Sequence, residues 1–156
     1  MKIRDKIIET LICIGKEYKE ITSDSYIIGA SALILLGVDI DYTEDVDILT
    51  SKASSSKLKE SLCRYAEPNP KTKEDELFKS DFSRYHLPLM DVEVMGDLLV
   101  MKDNQWIEVS VNDYKEVSVG EFAVKVPTLE ELRRIMLLFG RNKDMQRIEL
   151  LERYIN

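Results

Sequence analysis

Residues 26–49 read YIIGASALILLGVDIDYTEDVDIL. The segment opens on Tyr26-Ile27-Ile28, a short apolar run of β-forming residues, and Gly29 ends that run. Ala30 to Leu36 is helix-prone, and Gly37 is a natural helix stop. Residues 26–37 therefore read as strand, glycine turn and short helix. Asp39, Asp41 and Glu44 follow in a loop, after which Asp45 and Asp47 alternate with Val46, Ile48 and Leu49. Side chains two apart on a strand point the same way, so this second strand carries two acids on one face.

Working outward from this segment, residues 4–19 place Ile7, Ile8, Leu11, Ile12 and Ile14 at mostly helical spacing between charges, which predicts an amphipathic helix. On the other side, 52–56 is polar, 57–65 is a plausible helix closed by Pro68 and Pro70, and 71–83 reads as a charged loop or frayed helix. Leu87 to Met95 reads as a strand with Asp91 and Glu93 at alternate positions. Gly96-Asp97 then predicts a turn, Leu98 to Met101 a further strand, and Asp103-Asn104 a turn into Trp106 to Val109. Residues 116–119 and 122–126 flank Gly120-Glu121 as a two-residue hairpin. Thr128 to Glu131 has a capping-box pattern and opens a helix with Leu132, Ile135, Met136, Leu138 and Phe139 on its apolar face. After Gly140, residues 142–154 form a last helix. Helices at both ends around a mixed sheet, antiparallel in its later part, make an α+β fold.

The 156 residues suit a single domain, 1–156, and a chain of this length buries about 70% of its unfolded surface. Hydrophobic residues are 44% and charged residues 33%, which excludes a disordered chain. No apolar run approaches a membrane span, and the charged N-terminal segment lacks the core of a signal peptide, so a cytoplasmic location is expected. Asp and Glu number 29 against 22 Lys and Arg, for a net charge of −7. Such a chain is a poor general binder of nucleic acid, a local basic patch aside, but the excess acid suits a divalent cation. Cys13 and Cys63 lie far apart with no CxxC, and one His with two scattered Cys gives no zinc site.

The chemistry concentrates in two places. Asp45/Asp47 and Asp91/Glu93 are acid pairs on two strands, and if those strands are neighbours, up to four carboxylates converge. Such a cluster repels itself unless cations fill it, and Mg²⁺, hard and oxygen-seeking, is the natural filler. Gly29-Ala30-Ser31 sits where a strand turns into a helix, an arrangement that offers backbone N–H groups to a phosphate. A phosphate cradle beside a carboxylate-held metal is equipment for phosphoryl or nucleotidyl transfer. Glu93 faces the same side and reads equally as a supporting group or a solvated sheet residue. His86 reads as a structural histidine near Asp91. Arg84 reads as a surface arginine, and Lys143, with Arg141 nearby, reads either as a triphosphate counter-charge or as a solvated partner of Asp144.

The three motifs in order, YIIGASALILLG, TEDVDIL and PLMDVEVM, resemble the nucleotidyltransferase superfamily that includes DNA polymerase β and kanamycin nucleotidyltransferase. The closing RNKDMQRIELLERYI is similar to the last helix of antibiotic-modifying members, and the likeness spans roughly residues 25–155. The resemblance implies a minimal nucleotidyltransferase fold, a mixed sheet with helices packed around it and C-terminal helices. It implies transfer of a nucleoside monophosphate from a nucleoside triphosphate, ATP among the candidates, to a hydroxyl of a small molecule, protein or RNA. Carried onto this sequence, it makes Asp45, Asp47 and Asp91 the catalytic carboxylates holding two Mg²⁺ ions. Gly29, Ala30, Ser31 and Lys143 become the nucleotide-binding positions. Ala30 stands where the family usually has a second Gly or a Ser, with Ser31 following at once. The little chain after Asp91 leaves the acceptor site to a second subunit or a partner. The alternative is a non-catalytic nucleotide-binding module, or one neutralising a small helical partner in a toxin–antitoxin-type pair.

Overall fold

The computed structural model describes residues 1–72 and 75–156. Among the described residues the six α-helices are α1 (Ile3–Cys13), α2 (Gly15–Tyr18), α3 (Gly29–Leu35), α4 (Lys52–Ser61), α5 (Leu129–Phe139) and α6 (Asn142–Ile155). The seven strands among the described residues are β1 (Tyr26–Ile28), β2 (Asp45–Thr50), β3 (Phe78–His86), β4 (Asp91–Lys102), β5 (Gln105–Glu108), β6 (Tyr114–Val119) and β7 (Phe122–Pro127). The architecture is α+β, as expected. The main sheet runs β1-β2-β4-β3, with β2 and β4 parallel and the other pairs antiparallel. The far end of β4 pairs with β5 on the edge that β2 has vacated, since β3 holds the opposite edge at Leu99 and Val100. The hairpin β6-β7 is a separate sheet, turned at Gly120 with φ +60°, and it touches β1 where the Tyr26 and Tyr114 rings meet edge-on, 5.7 Å between centroids.

Strand alternation divides the main sheet into two faces. One face carries Ile27, Val46, Ile48, Tyr85, Val92 and Val94, all fully buried under Ile7 and Leu11 of α1, Leu33 of α3 and Leu58 of α4. The opposite face is acidic at one end and apolar at the other. Along β2 it reads Asp45, Asp47, Leu49, and along β4 it reads Asp91, Glu93, Met95. The apolar end, with Ile28, Leu98 and Val100, is covered by Ile135 of α5. The acidic end is left open, and the turn from α5 to α6 ends beside it. Among the described residues no helix is long and apolar enough to cross a membrane.

Five local expectations change. The single N-terminal helix breaks at Ile14, whose φ of −101° and ψ of 12° leave the helical region, and Phe122 packs so closely on Gly15 that a Cβ there would lie 2.9 Å from its ring. The polar stretch 52–56 is helical: the Ser51 side chain accepts from the Ser54 backbone N–H and starts α4 five residues earlier than its apolar positions suggest. Of the expected loop 71–83, Lys73 and Glu74 lie outside the described residues, and 78–83 is strand β3. The turn at Gly96-Asp97 is the interior of one twelve-residue strand, β4. Gly96 is there because α4 crosses it, and an added Cβ would lie 2.8 Å from Ser55 Cβ and 3.1 Å from Lys52 Cα. Residues 87–90 precede that strand rather than belonging to it.

Candidate active site

The parallel register of β2 and β4 sets Asp45 opposite Asp91 and Asp47 opposite Glu93. Carboxylate oxygens of Asp45, Asp47 and Glu93 lie within 4.8 Å of one another, close enough to share an ion. They form part of the wall of a cavity of about 480 Å³. Lys143 and Arg147 of α6 reach the same cavity, and Phe78, Phe82, Met95 and Phe139 form its apolar wall.

Gly29 makes this arrangement possible. Its φ is +69°, and a Cβ on it would lie 2.5 Å from Asp47 Oδ2, so the chain turns into α3 directly against that carboxylate. Ser31 is fully buried, donates to Ile28 O at 2.9 Å and accepts from Asp47 N–H at 3.3 Å. The Ser31 hydroxyl therefore ties the turn to β2 and is not on the cavity wall. Ala30 is buried beside it and is likewise not on that wall. Of the four expected nucleotide-binding positions, the structure brings Gly29 and Lys143 to the cavity and leaves Ala30 and Ser31 beneath it.

Crowded carboxylates hold their protons. Burial first, then the charges of Glu93 and Asp45, push the Asp47 carboxyl up to about 8, with Arg147 and Lys143 opposing. Burial, then Glu93, Asp91 and Glu44, push Asp45 up to about 6. A donor set made only of carboxylate oxygens fits a hard divalent cation such as Mg²⁺.

Asp91 also lines the cavity but is not one of the three convergent carboxylates. Its Oδ1 lies 2.8 Å from His86 Nδ1, and His86 Nε2 lies 3.1 Å from Glu67 Oε1. Carboxylates at both nitrogens favour the doubly protonated ring, and the Asp91 hydrogen bond in particular holds the His86 pKa above its ordinary value. Arg84 donates to Glu67 Oε2 at 2.7 Å and, through Nε and Nη2, to Glu93 Oε1 at 3.2 and 3.0 Å. Neither Arg84 nor His86 lies on the surface as a solitary charge: cross-strand register puts Arg84 opposite Glu93 and His86 opposite Asp91. Their period-two spacing on 82–86 matches that of the acids and was the available signal. Asp144 is buried and pairs with Arg141 at 2.6 Å, and Arg141 stacks over the rings of Phe78 and Phe139.

No protein-family model matches the sequence, and no curated protein matches it either. Solved structures do. TM1012 of Thermotoga maritima, assigned as a nucleotidyltransferase, superposes with a TM-score of 0.69 at 21% identity, over 95% of this chain and 93% of that one. The lincosamide antibiotic adenylyltransferase LnuA, solved with lincomycin bound, gives 0.55 at 13% identity over 97% and 98%. The antibiotic-resistance factor ANT(2'')-Ia, in complex with adenylyl-2''-tobramycin, gives 0.54 at 9% over 96% and 87%. The fold of the chain is the nucleotidyltransferase fold.

Proposed function

We propose that this chain, which carries the nucleotidyltransferase fold, transfers a nucleoside monophosphate from a nucleoside triphosphate to a hydroxyl acceptor with Mg²⁺. The observation that carries the reading is the convergence of Asp45, Asp47 and Glu93 in a cavity that α6 edges with cations. Glu93, opposite Asp47, takes the third metal position that the resemblance implied for Asp91. Mg²⁺ held by these three would polarise the phosphate oxygens and the attacking hydroxyl. Lys143 and Arg147 draw the triphosphate to the α6 side, and Gly29 lets its backbone come against the site with no side chain in the way. Asp91, on the cavity wall and hydrogen-bonded to His86, is the carboxylate left to accept the hydroxyl proton. The acceptor oxygen forms its bond to the α-phosphorus in line as the α–β bridge breaks, and pyrophosphate leaves.

Incubation with each labelled triphosphate, Mg²⁺ and a panel of hydroxyl compounds, antibiotics included, tests this. Pyrophosphate release with one nucleotide and one acceptor is expected, and none from the Asp47→Asn variant. Nucleotide and metal binding with no turnover by any candidate acceptor, protein and RNA included, would favour the non-catalytic module instead.

A further inference from the structure

A ladder of alternating acids and bases joins Glu93, Arg84, Glu67 and Asp91 of the cavity wall through His86, which is not on that wall. It runs from Glu93 through Arg84, Glu67 and His86 to Asp91, with successive contacts of 3.0, 2.7, 3.1 and 2.8 Å. Two features mark Arg84 as a built component. Its guanidinium is fixed at both ends, by Glu67 from the segment after α4 and by Glu93 across the β3–β4 pair. Both of its bonds to Glu93 fall on Oε1, so Oε2 takes no part in the pair.

We propose that Arg84 is the resting counter-cation of the metal site: a positioning residue that occupies one oxygen of Glu93, leaves the other for the ion, and weakens capture of a free divalent cation. The inference rests on the metal reading of Asp45, Asp47 and Glu93. Its logic is charge arithmetic at short range. Six carboxylates (Glu44, Asp45, Asp47, Glu67, Asp91 and Glu93) line the cavity, and Arg84 is a permanent cation bonded directly to one of the three convergent ones. A divalent ion entering beside that guanidinium meets a repulsion twice that between unit charges. A metal already carried on a triphosphate brings negative charge with it and meets far less. The ladder thus favours loading of the ion together with the nucleotide over loading of the ion alone.

The test is titration of the full chain with Mn²⁺ in the absence of nucleotide, following the free-ion electron paramagnetic resonance signal. Arg84→Gln is expected to bind Mn²⁺ about tenfold more tightly than the parent, the lower limit set by a water-like dielectric. Arg84→Lys, which keeps the charge, is expected to stay within about threefold of the parent. Equal or weaker binding by Arg84→Gln overturns the proposal. Asp47→Asn separates the two readings: if it binds as the parent does, the metal site itself is wrong and the proposal falls with it. If it abolishes binding while Arg84→Gln changes nothing, only the role of Arg84 fails. A readout that needs no variant is the Arg84 Nε–H resonance, which should move on saturation with Mg²⁺; an unmoved resonance overturns the proposal.

Discussion

Asp47 is the residue at which the most forces meet. It lies against Gly29, opposite Glu93 and two residues from Asp45, and its carboxyl is pushed up to about 8. Because the folded-state value is raised above the ordinary 3.8, the folded chain binds the extra proton, and metal-free stability falls as pH climbs from about 4 to about 8. Asp45, raised to about 6, adds to the lower part of the same window. Urea denaturation in chelator across this range should show the decline. Asp47→Asn should remove most of it above about pH 6, and saturating Mg²⁺ should offset it by replacing the protons. A flat profile for the parent would contradict the crowding. Gly29→Ala tests the turn at the same scale. A φ of +69° costs an L-residue about 1–2 kcal/mol, and the new Cβ would also displace the Asp47 carboxylate. A lowered melting temperature together with lost Mn²⁺ binding is expected.

Elements place these residues by packing as much as by propensity. α4 lies across β4 because Gly96 offers no side chain where Ser55 and the Lys52 backbone approach. Gly96→Ala should therefore push α4 off the sheet and cost about 1–3 kcal/mol by denaturant titration. A neutral result would mean that the contact yields freely. α5 begins at Thr128, whose side chain accepts from the Glu131 N–H, while the Glu131 carboxylate turns away to Arg134 and the Asn112 N–H. The capping pattern is legible in sequence; the diversion of its acid to a loop 19 residues away is not. β3 escaped a sequence reading because Lys79, Asp81 and Arg84 interrupt its apolar residues. Those charges are tolerated because each has a partner off the strand's own chain direction: Lys79 over the Trp106 ring, Asp81 to Lys59, Arg84 to Glu67 and Glu93.

Across the whole molecule, a chain of net charge −7 gathers cations where an anionic substrate would need them. Lys143 and Arg147 come from the last helix, about a hundred residues after Asp47, and their charges reach its carboxylate. Removing both, as Lys143→Ala with Arg147→Ala, should weaken nucleoside triphosphate binding by about tenfold or more, since a hydrogen bond to a charged group contributes about 1.5–3 kcal/mol. Mn²⁺ binding without nucleotide should survive in that variant. Calorimetry with each ligand separates the two effects, and unchanged triphosphate affinity would place the nucleotide elsewhere.

The amino-acid order determined everything that depends on short periods. Alternation along a strand put Asp45 with Asp47 and Asp91 with Glu93, and Gly29 marked the turn from strand to helix. Which acid of the second pair joins the first was decided only in three dimensions. Parallel register brings Asp91 and Glu93 equally near β2, and it is β3, an antiparallel neighbour, that separates them: His86 draws Asp91 aside, while Arg84 grips Glu93 by one oxygen. A strand's own sequence fixes the face its side chains share, whereas the pairing of charges across strands depends on which segments become neighbours. That choice is made by the burial of the opposite, apolar face, which is a property of the assembled core.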